Sequence, residues 1–353
     1  MATAIRNLGH TVTDNVVEAD VLINCHGCGV ARLPEHTFNI LWIIGHPDRI
    51  TPAECWQYDV VCSESAKFAA HLKGQGVECI YRPGASDMVP MPDVPKTHGA
   101  VFVGNWRPGR ELDTGERELA VWGEGWDGRL PGGAWRGAYY PHEDLNELYA
   151  SAGEVLNDHH EDMARWGFHN PRHYDMLAVA GEKVPTFAEC AEHIMALVPT
   201  ERIMLDLGCG KRPRRGFTGV DKAGGPGVVA WDLDLGLPPP APESRVHVIV
   251  ADNLLEHITN LIPLLNDCHA ALSPVGGRLH VTVPNALASL DAAFSDPTHV
   301  RCFTPSTFDY FNGAHPRWQE YGQQYGIKPW RVVYVRQRER FVEAMLRPTA
   351  VTP

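Results

Sequence analysis

The short β-rich apolar run Ile203 to Leu207 leads directly into Gly208-Cys-Gly210-Lys211, and the acid Asp206 sits one residue before the strand gives out. A buried strand that ends in two closely spaced glycines makes a turn in which the backbone approaches a ligand that any Cβ would block. Further apolar runs follow, each closed by acids: Thr218 to Val220 before Asp221, Val228 to Ala230 before Asp232-Leu233, and Val246 to Val250 before Asp252-Asn253. Between the last of these and a strand expected over Arg278 to Val283, the spacing predicts a helix. Asn260 is its cap, Pro263 lies in its first turn, and Leu261, Ile262, Leu265, Cys268 and Leu272 share one face. Late strands at Arg331 to Val335 and Phe341 to Leu346 complete the block. Alternating strands and helices imply a parallel, helix-covered sheet, and ligands of such sheets bind outside the carboxyl ends of the strands, where these acids stand.

The turn lacks the third glycine of a dinucleotide fingerprint, with Pro213 in that neighbourhood, so a bound pyrophosphate fits poorly. The segments LDLGCG at 205–210, GVD at 219–221, DLDLGLP at 232–238, NLLEHI at 253–258 and SPVGGRLHVTVPN at 273–285 together resemble a class I S-adenosylmethionine-dependent methyltransferase over Ile203 to about Leu346, about two-fifths of the chain. The resemblance implies S-adenosylmethionine as cofactor, bound by Asp206, Gly208, Gly210, Asp221, Asp232, Leu233, Asp252 and Asn253. Within that set it implies that Gly208 and Gly210 approach the amino-acid moiety, that Asp221 takes the ribose hydroxyls, and that Asp232 with Leu233 borders the adenine. One departure is His247, which stands where the family commonly has an acid before the fourth strand; that position is usually structural.

Methyl transfer needs alignment of sulfonium, methyl and nucleophile, plus a base when the nucleophile is a hydroxyl. Asp296-Pro297-Thr298-His299-Val300-Arg301 falls after the fifth strand on the substrate side and resembles a D-P-T-H element of some sugar and small-molecule methyltransferases. His299 is the candidate base and Asp296 its catalytic companion. The alternative is that both merely fix a loop by hydrogen bonds. For His257 a helix-orienting or cofactor-facing role ranks ahead of catalysis.

The whole chain has 353 residues, room for two to three domains. Proline and glycine punctuation divides it into 1–96, 97–199 and 200–353, with a four-proline linker between Arg82 and Pro95. The first block reads as a helix from Ala2 to Leu8, strands at Val21 to Ile23, Ile40 to Ile44, Val60-Val61 and Val77 to Ile80, and a helix from Glu64 to Lys73. The second reads as strands at Ala100 to Val103 and Leu119 to Trp122, helices at Leu145 to Ala150, Pro171 to Ala180 and Ala188 to Val198, and a loop over Gly123 to Gly137.

HTFNILWIIGHPD at 36–48, YDVVCSES at 58–65, FVGNW at 102–106, VWGEGW at 121–126 and the stretch 147–181 resemble CgeB-like, spore-protein-type GT-B glycosyltransferases over about 1–198. The resemblance implies a nucleotide-sugar donor in the second block, with Gly104 and Asn105 bordering it, Arg172 pairing with its diphosphate at a helix start, and Asp175 taking a hydroxyl. Helical spacing puts Arg172, Asp175 and Met176 on one face and Tyr174, Leu177 and Ala178 on the core face. The alternative is a simple Arg172–Asp175 surface pair. The missing opening strand implies a truncated N-terminal subdomain, and with the abrupt passage from Gly181 to Phe187 it implies a trimmed glycosyltransferase half.

Cys25-His26-Gly27-Cys28 reads as a strand-end loop, because a closed zinc site wants two regularly spaced pairs and Cys55 and Cys62 are too far apart; no metal is expected. The basic run Lys211, Arg212, Arg214, Arg215 reads as a solvated edge ahead of a phosphate-attracting patch. Trp122, Trp126 and Trp135 stack on sugar rings or simply pack.

A net charge of −12 gives no pull toward a phosphate backbone, so nucleic acid is an unlikely partner. The longest apolar runs are far short of the ~20 residues of a membrane span, no secretory pattern opens the chain, and nine cysteines suit reduced thiols, all pointing to a cytoplasmic protein. The expected fold is α/β: two Rossmann-like GT-B subdomains followed by a class I methyltransferase Rossmann-like domain. The expected function is a bifunctional glycan-tailoring enzyme that O-methylates a sugar or related small-molecule acceptor, the alternative being a methyltransferase carrying a catalytically inactive glycosyltransferase-like binding module. Oligomeric state stays open.

Overall fold

The computed structural model describes residues 1–26, 33–112, 118–239, 245–288 and 290–349. Across these described residues the chain is mixed α/β with three sheets, in all of which parallel pairing predominates. After helix α1 (Ala2–Asn7), strands β1 (Val21–Cys25), β2 (Phe38–Ile43), β3 (Val60–Ser63) and β4 (Ile80–Tyr81) lie side by side in chain order, all parallel. Every residue of β2 is buried, because helices and loops cover both faces of the sheet, and this makes FNILWI a nearly continuous apolar run. Between these strands come α2 (Pro52–Cys55) and α3 (Ala66–Gly74); Ser65 caps α3 by accepting from the Phe68 N–H at 3.1 Å. The strand expected over Val77 to Ile80 is only Ile80–Tyr81, since Val77 and Cys79 are buried by packing on α3 and β3 without joining the ladder.

The second sheet has the order β7-β6-β5-β8, again parallel, from β5 (His98–Val103), β6 (Leu119–Trp122), β7 (Trp135–Gly137) and β8 (Ala152–Val155). The Trp-rich stretch expected to be loop therefore supplies an edge strand. β8 carries no apolar alternation because its middle residues are exposed at the other edge. Helices α4 (Leu145–Ser151), α5 (Glu161–Trp166), α6 (Pro171–Val179) and α7 (Phe187–Met195) follow. Two of these segments return to the first sheet: Met163 and Phe168 join the core of Leu41, Val61 and Phe68, while Ile194 packs with Ile40 and Trp42.

The third sheet has seven strands: β9 (Ile203–Leu207), β10 (Thr218–Asp221), β11 (Val228–Ala230), β12 (Val246–Asp252), β13 (Arg278–Pro284), β14 (Trp330–Gln337) and β15 (Phe341–Pro348). Their order is β11-β10-β9-β12-β13-β15-β14, with β15 antiparallel to both neighbours and the remaining pairs parallel. The chain reverses its direction of travel between β9 and β12, so the crevice above their carboxyl ends is a switch point. Helix α8 (Leu261–Leu272) buries Leu261, Leu265, Cys268 and Leu272 as the spacing predicts, and also Leu264, while Ile262 is half-buried. Asn260 occupies its N-cap position, but its side-chain amide donates to the Asp234 carbonyl at 2.9 Å instead of capping. Short helix α9 (Leu290–Phe294) lies between β13 and β14.

Arginines fasten the third sheet to the first unit. Arg278, 1% exposed, pairs with Asp59 and donates to the carbonyls of Glu35 (3.0 Å) and Thr37 (2.8 Å). Arg347 reaches the same carboxylate at 3.1 Å and donates to the carbonyls of Trp56 and Tyr58. Burial alone would raise the Asp59 pKa, but the two guanidinium groups prevail and hold it at about 2.

Candidate functional site

The glycine turn after β9 is built as its sequence requires. Gly208 and Gly210 have φ of 68° and 60°, in the left-handed region, and a Cβ on Gly208 would stand 2.8 Å from Leu254 Cδ1. Asp221, at the end of β10, fixes the turn: its Oδ2 accepts the Gly210 N–H at 2.9 Å and its Oδ1 accepts the Ala223 N–H at 2.8 Å. An ionised carboxylate has about four lone-pair sites, so each oxygen keeps acceptor capacity.

Asp206 is 2% exposed and is bound by Arg214, whose backbone N–H reaches it at 2.8 Å and whose guanidinium reaches it at 2.9 Å. The same guanidinium pairs with Asp252 at the end of β12. Arg214 thus bridges acids from two adjacent strands. Burial works against its charge, while Asp252 and Asp206 outweigh that and push its pKa up. Asn253, the next residue, holds φ of 47°, an uncommon conformation for a residue with a side chain. Its N–H is taken by the Thr282 carbonyl of β13 at 2.8 Å, so the bend is anchored to the sheet. Asp232 lies beyond β11, where its Oδ1 accepts from the Asp234 N–H and pairs with Lys222 at 3.1 Å; these contacts lower its pKa. Leu233 beside it is buried in the core.

The structure therefore gathers Asp206, Gly208, Gly210, Asp221, Asp252 and Asn253 at the carboxyl ends of β9, β10 and β12, with Asp232 and Leu233 one strand further. Sequence reasoning missed Arg214, which lies in a run read as solvated edge; Lys211, Arg212 and Arg215 are indeed exposed. The signal for Arg214 was its spacing of eight from Asp206, which only the folded turn explains.

The second cluster sits against the first. The 296–301 loop is tied to the turn after β12 by the Val300 N–H to Glu256 carbonyl bond at 2.9 Å and by Arg301 donating to the Thr259 carbonyl at 2.7 Å. Thr298 donates its hydroxyl to Asp296 Oδ1 at 2.6 Å, so at 2.9 Å from His257 Nδ1 it is the acceptor. Asp296 has its pKa lowered by those Thr298 bonds. His299 Nδ1 lies 2.9 Å from the Ala293 carbonyl, which can only accept. Both imidazoles thus carry hydrogen on Nδ1, so that in the neutral ring Nε2 is the acceptor, and the rings meet edge to face with centroids 4.7 Å apart. Asp296 is therefore not the direct partner of His299 that the sequence suggests: its carboxylate reaches His257 through Thr298, while His299 is held by the Ala293 carbonyl.

In the second sheet, Arg172 lies across Phe102, 4.5 Å from the ring centre, donating to the Val103 carbonyl and to Asn157 Oδ1 at 3.3 Å. Gly104 makes room for it, since a Cβ there would meet the guanidinium at 2.9 Å. Asn105 accepts the Glu124 N–H at 2.9 Å. Asp175 binds the Ser86 hydroxyl at 2.6 Å, so the simple Arg172–Asp175 pair is replaced by separate partners. Tyr174 and Ala178 face the core as expected, and Leu177 is half-buried. The indole of Trp126, 2% exposed, donates to the Gly104 carbonyl at 2.7 Å and so packs, whereas Trp135 donates to the Gly123 carbonyl but keeps its ring exposed. Cys25 ends β1, and His26 approaches the Gly45 carbonyl at 3.2 Å; Gly27 and Cys28 lie outside the described residues. Cys55 and Cys62 are buried.

A cavity of about 630 Å³ lies at the opposite, amino ends of the third sheet, lined by Arg202, Arg245, His247 and Arg278. It is remote from the glycine turn, and His247 in its lining accepts the Ile203 N–H at 3.3 Å. No described helix is long and apolar enough to cross a membrane. No protein-family model matches this chain, and no curated protein matches it.

Proposed function

We propose that the third sheet binds S-adenosylmethionine and transfers its methyl group to a hydroxyl of a sugar or related small molecule. The observation that carries this reading is the chain of contacts Asp221–Gly210 and Asp206–Arg214–Asp252 across the carboxyl ends of three adjacent strands. The amino-acid end of the cofactor carries an ammonium and a carboxylate, and the part-exposed Asp252 and Arg214 would meet them, with the buried Asp206 holding Arg214 in place. Asp221 retains acceptor capacity for ribose hydroxyls, and the exposed Asp232 offers an acid toward the adenine, whereas Leu233, turned into the core, does not border it directly. The sheet order, with its switch point between β9 and β12, supports the same placement.

For the transfer itself, the acceptor hydroxyl must lose its proton as the methyl arrives. His299 holds one imidazole nitrogen against a carbonyl and leaves the other basic, and His257 is held the same way by Thr298 and Asp296. Asp296 stabilises the imidazolium through Thr298 and so acts as a positioning group. In a thermal-shift titration, S-adenosylmethionine at 100 times its Kd stabilises the chain by about 2.7 kcal/mol, since it binds only the folded state. The absence of any shift at millimolar ligand overturns the reading.

A second reading concerns the first two sheets, where a nucleotide sugar would meet Arg172 at the start of α6. Its support is the clearance that Gly104 gives the guanidinium and the Asn170 side chain capping that helix by accepting the His173 N–H. Such a unit either transfers the sugar or only holds a glycan. Arg172→Ala is expected to abolish stabilisation by UDP, GDP or TDP sugars in the same assay while leaving the S-adenosylmethionine shift intact. Nucleotide release from the sugar donor decides between transfer and binding. Stabilisation by a sugar nucleotide that survives Arg172→Ala removes the donor-site assignment.

A further inference from the structure

Glu256 is 1% exposed, and neither carboxylate oxygen has a hydrogen-bond partner among the described residues. That is an expensive arrangement, because a buried carboxylate without donors gives up its hydration for nothing. Its neighbours are the two imidazoles just described: one ligand atom each from Glu256, His257 and His299 lie within 4.8 Å of one another. We propose that these three residues form a divalent transition-metal site of the zinc class, with two imidazole nitrogens and one carboxylate oxygen as ligands.

Three features beyond the cluster itself point to a cation. The unpartnered Glu256 carboxylate is directed into the group and supplies the negative charge that a dication needs. Each histidine has its Nδ1–H committed, His299 to the Ala293 carbonyl and His257 to Thr298 backed by Asp296, which is how metal-ligating histidines are oriented and their basicity raised. Finally, the two segments that bring the ligands together are already crosslinked by the Val300–Glu256 backbone bond, so the site is preorganised. Zinc takes nitrogen and oxygen at ~2.0–2.2 Å, which puts tetrahedral ligand atoms about 3.4 Å apart. The widest separation must therefore shorten by about 1.4 Å or less on loading, within the reach of imidazole and carboxylate rotation. Three protein ligands leave a fourth position open, and both histidines are only half-buried. A hydroxyl entering that position would have its pKa lowered by the metal, which moves the proton without asking His299 to serve as base.

The site rests on its own geometry; only its role toward an acceptor hydroxyl depends on the methyl-transfer reading. The full chain, stripped with chelator, is titrated with Co²⁺ and with Zn²⁺, following visible ligand-field bands and calorimetric heat. One ion per chain with nitrogen and oxygen ligation is expected. Glu256→Gln, isosteric and free of the unpaired charge, is expected to retain the fold and weaken binding by more than 100-fold. Asp296→Ala, which touches no metal, is expected to weaken it by about 10–100-fold. His257→Ala and His299→Ala, at half-exposed positions, provide variants in which folding is not at stake. Thiolate charge-transfer bands, binding that survives in both histidine variants, or no stoichiometric binding at all would each overturn the site. S-adenosylmethionine binding measured on the same stripped protein separates the two ideas: its presence without metal binding removes only this site, and metal binding without it removes only the methyl-transfer reading.

Discussion

Asp221→Ala is expected to lower the affinity for S-adenosylmethionine by about 100-fold in calorimetry. Two ribose hydroxyls donating to one ionised carboxylate are worth about 1.5 kcal/mol each at the low end of charge-assisted bonds, and ~1.4 kcal/mol is a factor of ten in Kd. The loss has a second component in this chain, since Asp221 also holds the Gly210 and Ala223 N–H groups and so shapes the turn that the amino-acid end would approach. Asp221→Asn separates the two contributions. It keeps one acceptor oxygen for the turn, but its amide hydrogens face a backbone N–H or a hydroxyl that previously donated. An intermediate loss is therefore expected. Loss of the two turn bonds is expected to lower the unfolding temperature of the ligand-free variant modestly, so its affinity is measured well below that transition. Unchanged affinity in the alanine variant, with the protein folded, would falsify the ribose assignment.

The carboxyl-end acids were legible because each closes an apolar run, and a run of β-rich residues followed by an acid or glycine states where a buried strand stops. What the sequence hid is who the acids' partners are. Arg214 was one of four nearby basic residues and looked like the others; only the fold turns it inward between Asp206 and Asp252 while Lys211, Arg212 and Arg215 stay in solvent. Glu256 was equally hidden. It stands in NLLEHI as an ordinary acid, and its burial depends on the 296–301 loop folding back over it, a contact between residues more than forty positions apart.

Edges were less legible than centres for a related reason. β2 and β12 are covered on both sides and announce themselves as apolar runs. The edge strands β7 and β8 use residues such as Arg136 and Glu154 whose side chains face water, so their pattern resembles loop. Helix α8 was found with its face nearly complete because its periodicity is local. The return of α5 and α7 to the first sheet left no local trace, since Met163 and Ile194 look the same whichever sheet they cover.

The largest stability effect is expected at the arginine interface. Asp59→Ala leaves Arg278 and Arg347 buried without a counter-charge, and removing one partner from a buried ion pair costs about 3–5 kcal/mol in a denaturant titration. Replacing Asp59, Arg278 and Arg347 together by Leu, Met and Met is expected to recover only part of that loss, because apolar groups remove the unpaired charges but leave the carbonyls of Glu35, Thr37, Trp56 and Tyr58 and the Asn39 N–H without these partners. The pH dependence follows from the sign of the shift. The Asp59 carboxyl is held at about 2 when folded, against an ordinary 3.8, so its contribution is fully present above the unfolded value and drains away as pH falls from about 4 toward 2. At ~1.36 kcal/mol per unit, that segment of acid sensitivity is about 2 kcal/mol in the parent chain, and the apolar triple variant should lack it. If Asp59→Ala unfolds at the same denaturant concentration as the parent, or the triple variant keeps the full acid limb, then the third sheet is held to the first unit by its apolar contacts and not by these charges.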